Sequence, residues 1–200
     1  EASVLLSDPT GITATITAVT HNNCYNGTSG SATVTGDGGS GTYTYSWSDG
    51  QTTATAINLA EGTYTVTVDD GSCTAQAFVE ITAPDSLFAE IISSTDVSCN
   101  GGSDGAATMN ATGGTTPYSY EWDDDDTQKT ATATGLDAGI YTVTITDANN
   151  CTTTASVTIG EPDNPLEITS ATQTNPTCYD AANGSVEISV NGGTTPYSFV

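Results

Sequence analysis

The sequence predicts an all-β chain made of tandem, small, immunoglobulin-like antiparallel β-sandwiches. Strand-forming residues dominate: threonine occurs 40 times in 200 residues, whereas the helix-favouring Lys, Arg and Met are nearly absent. Apolar and polar residues alternate over short segments that Gly, Asn and Asp separate, which indicates half-buried strands joined by turns. Finally, blocks of sequence recur after 75 and then 79 residues, so one small unit is repeated along the chain.

Two blocks define the repeat. Gly-Gly-x-x-x-Tyr-x-(Tyr/Phe) begins at Gly38, Gly113 and Gly192, and Gly-x-Tyr-Thr-Val-Thr begins at Gly62 and Gly139. The predicted domains are therefore 1–9 (the last strand of an upstream repeat), 10–84 and 85–163 (two complete repeats) and 164–200 (the first part of a third). We expect the chain to be a segment of a longer array.

Six strands can be placed within the first complete repeat, at 12–19, 31–35, 43–48, 53–59, 63–69 and 75–81. Short strands at this density, with turns every 8 to 12 residues, are typical of an immunoglobulin-like sandwich. Trp47 and Trp122 fall in the middle strand, where a buried aromatic side chain would contact both sheets. Tyr64 and Tyr141 begin the penultimate strand, which is the position of a tyrosine corner.

The five cysteines fall at two positions of the repeat. Cys24, Cys99 and Cys178 share one position, and Cys73 and Cys151 share the other. This overlay predicts one disulfide per repeat, Cys24–Cys73 and Cys99–Cys151, with Cys178 pairing to a residue beyond 200. Each bridge would close a loop of about 50 residues and stabilise a small core by about 4 kcal/mol. Because such bridges persist outside the reducing cytosol, we expect an extracellular protein.

Cations are almost missing from the chain. It carries 24 Asp and Glu against one Lys and no Arg, for a formal net charge of −23. Such a chain cannot neutralise a row of phosphates, nor dock electrostatically on an anionic membrane, so nucleic-acid binding is excluded. The sequence contains no apolar run of about 20 residues, and membrane insertion is not expected.

Enzymatic activity is not expected either. Nucleophilic catalysis needs a His or Lys base within reach, and the chain offers only His21 and Lys129, neither of them repeated. Paired carboxylates could serve glycoside hydrolysis, but a small sandwich offers no additional cleft.

Three further sites remain open in the sequence. Calcium would suit the carboxylates of acidic turns, although a solvated turn explains them equally; the candidate ligands are Asp69, Asp70, Asp123, Asp125 and Asp147. Thr-x-Thr runs resemble ice-binding or sugar-binding faces, but Thr is also an ordinary residue on a solvent-exposed strand. Ser86, within Asp85-Ser86-Leu87, resembles a bacterial O-glycosylation signal.

Taken together, the motifs resemble the SprB repeat of Bacteroidota cell-surface adhesins. They are Cys-(Tyr/Asn)-x-Gly, Gly-Gly-x-x-Pro-Tyr-x-Tyr-x-Trp, Leu-x-x-Gly-x-Tyr-x-Val-x-(Val/Ile)-x-Asp and a following Cys. The resemblance implies very long surface proteins, exported by the type IX system, that act as adhesins in gliding or as filaments. It implies no catalytic residues, and it assigns turn roles to the motif glycines, which include Gly39, Gly114 and Gly193.

Two functions follow as expectations. The first is an adhesive stalk or filament on the cell surface, with neighbouring repeats, other copies of the chain or a surface polysaccharide as partners. The alternative is a non-catalytic spacer or glycan-binding array attached to a large secreted enzyme. No cofactor is expected apart from the calcium considered above.

Overall fold

The computed structural model describes residues 11–180 and 182–200, so the strand predicted at 1–9 lies outside the described residues. The chain divides into two compact units. One comprises residues up to Leu87 together with Gly113–Thr115, and the other comprises Phe88–Thr112 and Thr116–Val200.

The first unit contains six strands in two antiparallel sheets. The strands are β1 (Thr13–Thr20), β2 (Gly30–Asp37), β3 (Thr44–Trp47), β4 (Thr55–Leu59), β5 (Gly62–Asp69) and β6 (Thr74–Ile81). The strand order is β1-β2-β4 in one sheet and β3-β5-β6 in the other. The prediction of an all-β chain with immunoglobulin-like antiparallel sandwiches is confirmed.

The second unit repeats this arrangement and adds a hairpin from the third repeat. Its strands are β7 (Phe88–Thr95), β8 (Gly105–Thr112), β9 (Ser119–Trp122), β10 (Thr132–Leu136), β11 (Gly139–Thr146), β12 (Thr152–Ile159), β13 (Glu167–Thr174) and β14 (Ser185–Asn191). The sheet orders are β10-β8-β7 and β12-β11-β9, with β13 paired to β14. The connecting segments 82–87 and 160–166 have no regular secondary structure.

Alternation along β5 builds the core of the first unit. Val66 and Val68 are fully buried, whereas Thr65 and Thr67, at the alternate positions, are half-buried on the opposite face, as the two-residue period of a strand requires. Val66 pairs with Trp47 on β3. Trp47 is 3% exposed, and its Nε1–H donates to Thr53 O at 2.9 Å, so the indole is buried with its polar atom paired. Trp122 is 1% exposed and donates to Thr130 O in the same way.

The β13–β14 hairpin and β8 differ in how far matching positions are exposed. Residues 164–200 form the β13–β14 hairpin, in which Val186 and Ile188 are 69% and 42% exposed. Ala107 and Met109, which occupy the matching positions of β8, are 1% and 3% exposed because the β9-β11-β12 sheet covers them.

Candidate functional site at the ends of each repeat

The cysteines do not pair within repeats as the sequence analysis predicted. Cys24 and Cys151 are disulfide-bonded, whereas Cys73, Cys99 and Cys178 are exposed free thiols. The predicted bridges Cys24–Cys73 and Cys99–Cys151 are therefore wrong, and so is the expectation of one disulfide in every repeat.

In the first repeat, the length of β6 keeps Cys24 and Cys73 too far apart to form a disulfide. The loop that contains Cys24 is fixed at the end of β6, because Asn22 N–H donates to Thr82 O at 2.9 Å. Cys73 lies at the opposite end of β6, directly before Thr74. Eight residues of strand separate these ends by roughly 27 Å, whereas a disulfide needs Cα atoms within about 7 Å.

The second repeat has the same geometry. Val97 N–H donates to Gly160 O at 3.0 Å, which holds the Cys99 loop at the end of β12. Cys151 lies directly before the first residue of β12. Each complete repeat thus has a loop end, with Cys24 or Cys99, and a hairpin end, with Cys73 or Cys151.

Asp70 organises the hairpin end of the first repeat. Its Oδ1 accepts hydrogen bonds from Cys73 N–H at 2.7 Å and Ser72 N–H at 2.9 Å. Its Oδ2 accepts one from Ser40 N–H at 2.9 Å, which ties the β2–β3 turn to the hairpin. Hydrogen bonds from the amides of Cys73, Ser40 and Ser72 hold the pKa of Asp70 below its ordinary value.

This pKa shift predicts a pH-dependent contribution to stability. A carboxylate whose pKa is lowered by folding stabilises the protein above its unfolded pKa of 3.8, and that contribution is lost as the pH falls through the lower folded pKa. We expect the wild type to have a higher free energy of unfolding than Asp70→Asn. This difference should be largest at neutral pH and should decrease below pH 3.8. Urea unfolding at a series of pH values measures it.

Exposed Glu61 provides the control, because Glu61→Gln removes the same charge from a site with no such cluster of donors. Its effect should stay within about 0.5 kcal/mol. If the difference in unfolding free energy between the wild type and Asp70→Asn were constant from pH 7 to pH 3, a charge-dependent role for this carboxylate would be contradicted.

Asp147 is the counterpart of Asp70 in the second repeat. It is 4% exposed, and its Oδ1 accepts hydrogen bonds from Asn149 N–H and Cys151 N–H, both at 2.8 Å. Asp69 Oδ1 accepts a bond from Gly71 N–H at 2.7 Å. These predicted calcium ligands therefore serve to cap the hairpin turns with their carboxylate oxygens.

The acidic turn of the second repeat is also internally bonded. Asp123 Oδ1 accepts a hydrogen bond from Thr142 N–H at 2.7 Å. Burial alone would raise the pKa of Asp124, but hydrogen bonds from Gln128 outweigh it and lower that pKa. Asp125 and Asp126 line a shallow depression with these two acids and Tyr141. Within residues 11–180 and 182–200, no three His, Cys, Asp or Glu side chains are grouped to hold a metal ion.

We expect calcium to leave the stability of this protein unchanged, because backbone amides already occupy oxygens of Asp70, Asp123 and Asp147. Melting temperatures recorded in calcium and in EDTA at matched ionic strength should coincide. Magnesium is the control for general screening of the acidic surface. An increase in melting temperature that calcium produces and magnesium does not would contradict this prediction.

The loop end of each repeat is stabilised by a small polar residue that the sequence motifs did not indicate. Ser98 N–H donates to Asp104 Oδ1 at 2.8 Å, Asn23 N–H to Ser29 Oγ at 3.0 Å, and Thr177 N–H to Asn183 Oδ1 at 3.1 Å. The pKa of Asp104 is lowered by hydrogen bonds from Ser98. The available signal was a Ser, Asp or Asn directly before the first glycine of the second strand in every copy.

A second side chain ties each loop to the end of its repeat. In the first repeat Thr82 N–H donates to His21 Nδ1 at 3.1 Å, and in the second Gly160 N–H donates to Asp96 Oδ1 at 2.7 Å. His21 is thus a backbone acceptor at the loop end. Lys129, the other candidate base, is paired with Glu121 Oε2 at 3.0 Å on the surface.

Within the second unit, the Cys99 loop also contacts the linker that follows β12. Asn100 Nδ2–H donates to Pro162 O at 2.9 Å, and Gly101 N–H donates to Glu161 Oε2 at 2.7 Å. Thr194, in the turn after β14, donates from Oγ1 to Ser98 O at 3.3 Å. The loop end of the second repeat is therefore in contact with the third repeat.

The remaining predicted residues occupy turns and linkers. Tyr64 OH donates to Ala60 O and Tyr141 OH to Asp137 O, both at 3.2 Å, which is the hydrogen bond of a tyrosine corner. Burial raises the pKa of Tyr141, with a smaller contribution from the Asp137 charge. Gly39 and Gly114 have positive φ in the turns between the second and third strands of their repeats, and Gly193 has positive φ directly after β14. Ser86 is exposed in the segment between β6 and β7, and its glycosylation stays a prediction.

Comparison of the sequence with protein families gives one match. The SprB repeat model matches residues 13–52, 91–127 and 170–200, which together make up more than half of the chain. A search of curated proteins finds no significant match. The described part of the chain contains no helix with the length and apolar character that a membrane crossing needs.

Several solved structures are similar to this chain, and one of them reaches a TM-score of 0.50. The three N-terminal domains of the highly immunogenic outer capsid protein of bacteriophage RB49 are 17% identical with a TM-score of 0.50, covering 94% of this chain and 71% of that one. Extracellular domains 3–5 of Drosophila OTK are 16% identical with a TM-score of 0.33, covering 74% and 59%. The eight N-terminal immunoglobulin domains of Down syndrome cell adhesion molecule are 17% identical with a TM-score of 0.33, covering 76% of this chain and 24% of that one. The similarity to the bacteriophage protein concerns the fold alone. The family match covers the loop cysteine of each copy and the Gly-Gly block that follows it. Because that match spans more than half of the residues, the chain belongs to the SprB repeat family.

Proposed function

We propose that this chain is an extracellular, non-catalytic repeat module of a surface protein, and that its repeats form an adhesive stalk or filament. The observation that carries this proposal is the contact of the Cys99 loop with the following linker and with Thr194 of the third repeat. A repeat whose end binds its successor is suited to a quasi-one-dimensional array. Membership of the SprB repeat family favours the same role.

The chemistry of the polar side chains supports a structural role. Asp70 and Asp147 accept backbone hydrogen bonds at the hairpin ends, and His21 and Asp96 accept them at the loop ends. Because these side chains accept backbone hydrogen bonds at turns and strand ends, they stabilise the conformation of the two ends of each repeat.

The covalent chemistry and composition favour an extracellular location. Cys24 and Cys151 are disulfide-bonded, and disulfides persist in oxidising compartments. A chain with one Lys and no Arg also gives trypsin-like proteases a single cleavage site, which suits prolonged exposure outside the cell.

Electron microscopy of the native source tests the proposal. Gold-labelled antibodies raised against residues 85–163 should decorate fibrous material on the cell surface, because this repeat would be part of the exposed filament. Cells that lack the protein provide the control. Label confined to the cytoplasm, or to compact secreted particles, would contradict a surface filament. If the filament serves gliding, the same antibodies should slow cell movement on a surface.

The hydroxyl-rich outer face of β11 and β12 favours a glycan-binding array as a second candidate. Thr142 pairs with Ser156 across the strands, their hydroxyl oxygens are 3.3 Å apart, and Thr144 pairs with Thr154 beside them. A neutral row of donors and acceptors suits a neutral polysaccharide. Binding on a glycan array that Thr142→Val and Thr144→Val together abolish would support it, and an array without signal would remove it.

A further inference from the structure

The chain enters and leaves the first repeat at opposite ends. The loop that follows β1 is bound to the exit of the last strand, because Asn22 N–H donates to Thr82 O at 2.9 Å and Thr82 N–H donates to His21 Nδ1 at 3.1 Å. β1 and β6 therefore run in the same direction, and both finish at the loop end. The entry at Thr13 lies one strand length away, which is roughly 27 Å for eight residues.

The second repeat has the same polarity. Val97 N–H donates to Gly160 O at 3.0 Å, and Gly160 N–H donates to Asp96 Oδ1 at 2.7 Å. β7 and β12 thus both finish at the loop end, and the entry at Phe88 lies a strand length from the exit at Gly160. We name this reciprocal pair of hydrogen bonds the exit clamp. It joins Thr82 to Asn22 and His21 in the first repeat, and Gly160 to Val97 and Asp96 in the second.

Tension on the chain therefore acts along the terminal strands of a repeat. In the first repeat it pulls β1 away from the loop end at Thr13, and it pulls β6 in the opposite direction at Thr82. The hydrogen bonds of an antiparallel ladder are perpendicular to the strands, so this pull shears them together instead of opening them one after another. Seven residues of β1 pair with β2, and eight residues of β6 pair with β5. Both terminal strands are thus held by whole ladders.

The exit clamp is the shortest path for force between the two terminal strands. In the part of the chain that the structure describes, β1 and β6 belong to different sheets and share no ladder. Apolar side chains such as Val34 and Val66 fill the space between the sheets, and their contacts are not directional. The two hydrogen bonds at Thr82 connect the loaded strands directly. They must break before β6 can slide past β1.

From this geometry we propose that each complete repeat bears tension and that its mechanical strength depends on the exit clamp. His21 and Asp96 differ in chemistry, yet each presents an acceptor to the same backbone N–H at the exit of its repeat. The inference rests on the proposed stalk for its role in the cell, because an adhesive stalk transmits tension. The strength itself belongs to the folded chain and is measurable on purified protein.

Single-molecule pulling on the full chain tests this inference. The protein is held by its two termini at constant force, and a reductant keeps all five cysteines as thiols, so that the backbone alone carries the load. Each complete repeat should unfold in one step that lengthens the chain by roughly 220 Å. His21→Ala should raise the unfolding rate of one step about five-fold, and Asp96→Ala that of the other, because each removes one hydrogen bond from the barrier.

Gln51→Ala and Gln128→Ala are the matched controls. The side chain of Gln51 makes hydrogen bonds with the backbone of Ile57 at 2.9 and 3.0 Å, and Gln128 makes the same two with Thr134. Ile57 and Thr134 lie on β4 and β10, which are not terminal strands. These variants should lose stability in urea and keep the wild-type unfolding rate under force.

A measurement on the wild type guards against misfolded variants. The dependence of the unfolding rate on force gives the displacement to the barrier, which should be a few Å, because a hydrogen bond is lost over that distance. A displacement of tens of Å would show sequential opening of the strands and overturn the proposal. His21→Asp, which installs the acceptor of the second repeat, should unfold at the wild-type rate.

The controls also define a second contradicting result. Equal acceleration of forced unfolding by His21→Ala and Gln51→Ala would show that the exit clamp carries no special load. Either contradicting result would leave the surface filament to be judged by microscopy. Conversely, a chain that resists force but is absent from the cell surface would overturn the filament and leave the exit clamp intact.

Discussion

Replacing Trp47 with alanine should lower the free energy of unfolding of the first unit by about 3 to 5 kcal/mol. Trp47 is 3% exposed and pairs with Val66 at the centre of the sandwich. Truncation would leave a cavity between the sheets and would remove the hydrogen bond from Nε1–H to Thr53 O. In a domain of this size, such a loss is a large part of the total stability.

Hydrogen exchange measures this effect with a reference inside the same molecule. Exchange of the Val66 and Val68 amides should accelerate in Trp47→Ala, while the Val143 and Ile145 amides of the second unit report whether the effect is confined to the first. Phe78→Ala is the matched control, because Phe78 is also aromatic but is 66% exposed on β6. Its cost should stay within about 0.5 kcal/mol. Equal losses in the two variants would contradict a core role for Trp47.

Replacing Gly39 with alanine should destabilise the first unit by about 2 to 4 kcal/mol. Gly39 has a φ of +59°, where a side chain costs about 1 to 2 kcal/mol. The added Cβ would also overlap Asp70 Oδ2. Relief of that overlap would displace the carboxylate that binds the Ser40 and Cys73 amides.

Gly41→Ala separates the two causes. Gly41 has a φ of +77°, but a Cβ there would meet nothing within 4 Å, so only the backbone cost of about 1 to 2 kcal/mol applies. In a protein that already carries Asp70→Ala, Gly39→Ala should lower the free energy of unfolding by less than it does in the wild type. The loss should approach that caused by Gly41→Ala, because the carboxylate that would overlap the new Cβ is absent. Urea unfolding of the four variants gives these differences. Additive losses for the Gly39 and Asp70 substitutions would show that the two sites do not interact.

The strands and the core could be predicted from the sequence because both depend on local patterns. Thr63-Tyr64-Thr65-Val66-Thr67-Val68 alternates with the two-residue period of a strand, and the structure buries Val66 and Val68 accordingly. The same pattern recurs at 139–146, and this repetition supports the prediction of a strand at both places.

The acidic residues could not be assigned from the sequence, because their role depends on what their oxygens face. Asp70 and Asp147 lie in turns, and acidic residues in turns are typical of calcium sites. In the structure their oxygens accept hydrogen bonds from amides up to four residues away, and Asp70 also from Ser40 across the β2–β3 turn. Only the direction of the backbone N–H groups distinguishes a turn cap from a metal ligand.

By itself, the sequence determined that this protein is a tandem array of small β-sandwiches with aromatic cores, few cations and two recurring cysteine positions. Alternation, turn residues and period are properties of the chain order, and they need no knowledge of distant contacts. Only the tertiary structure decided where the two cysteine positions lie. Successive strands run in opposite directions, so residues 50 positions apart can lie side by side or a full strand length apart. Cys24 and Cys73 lie a full strand apart, at opposite ends of one repeat.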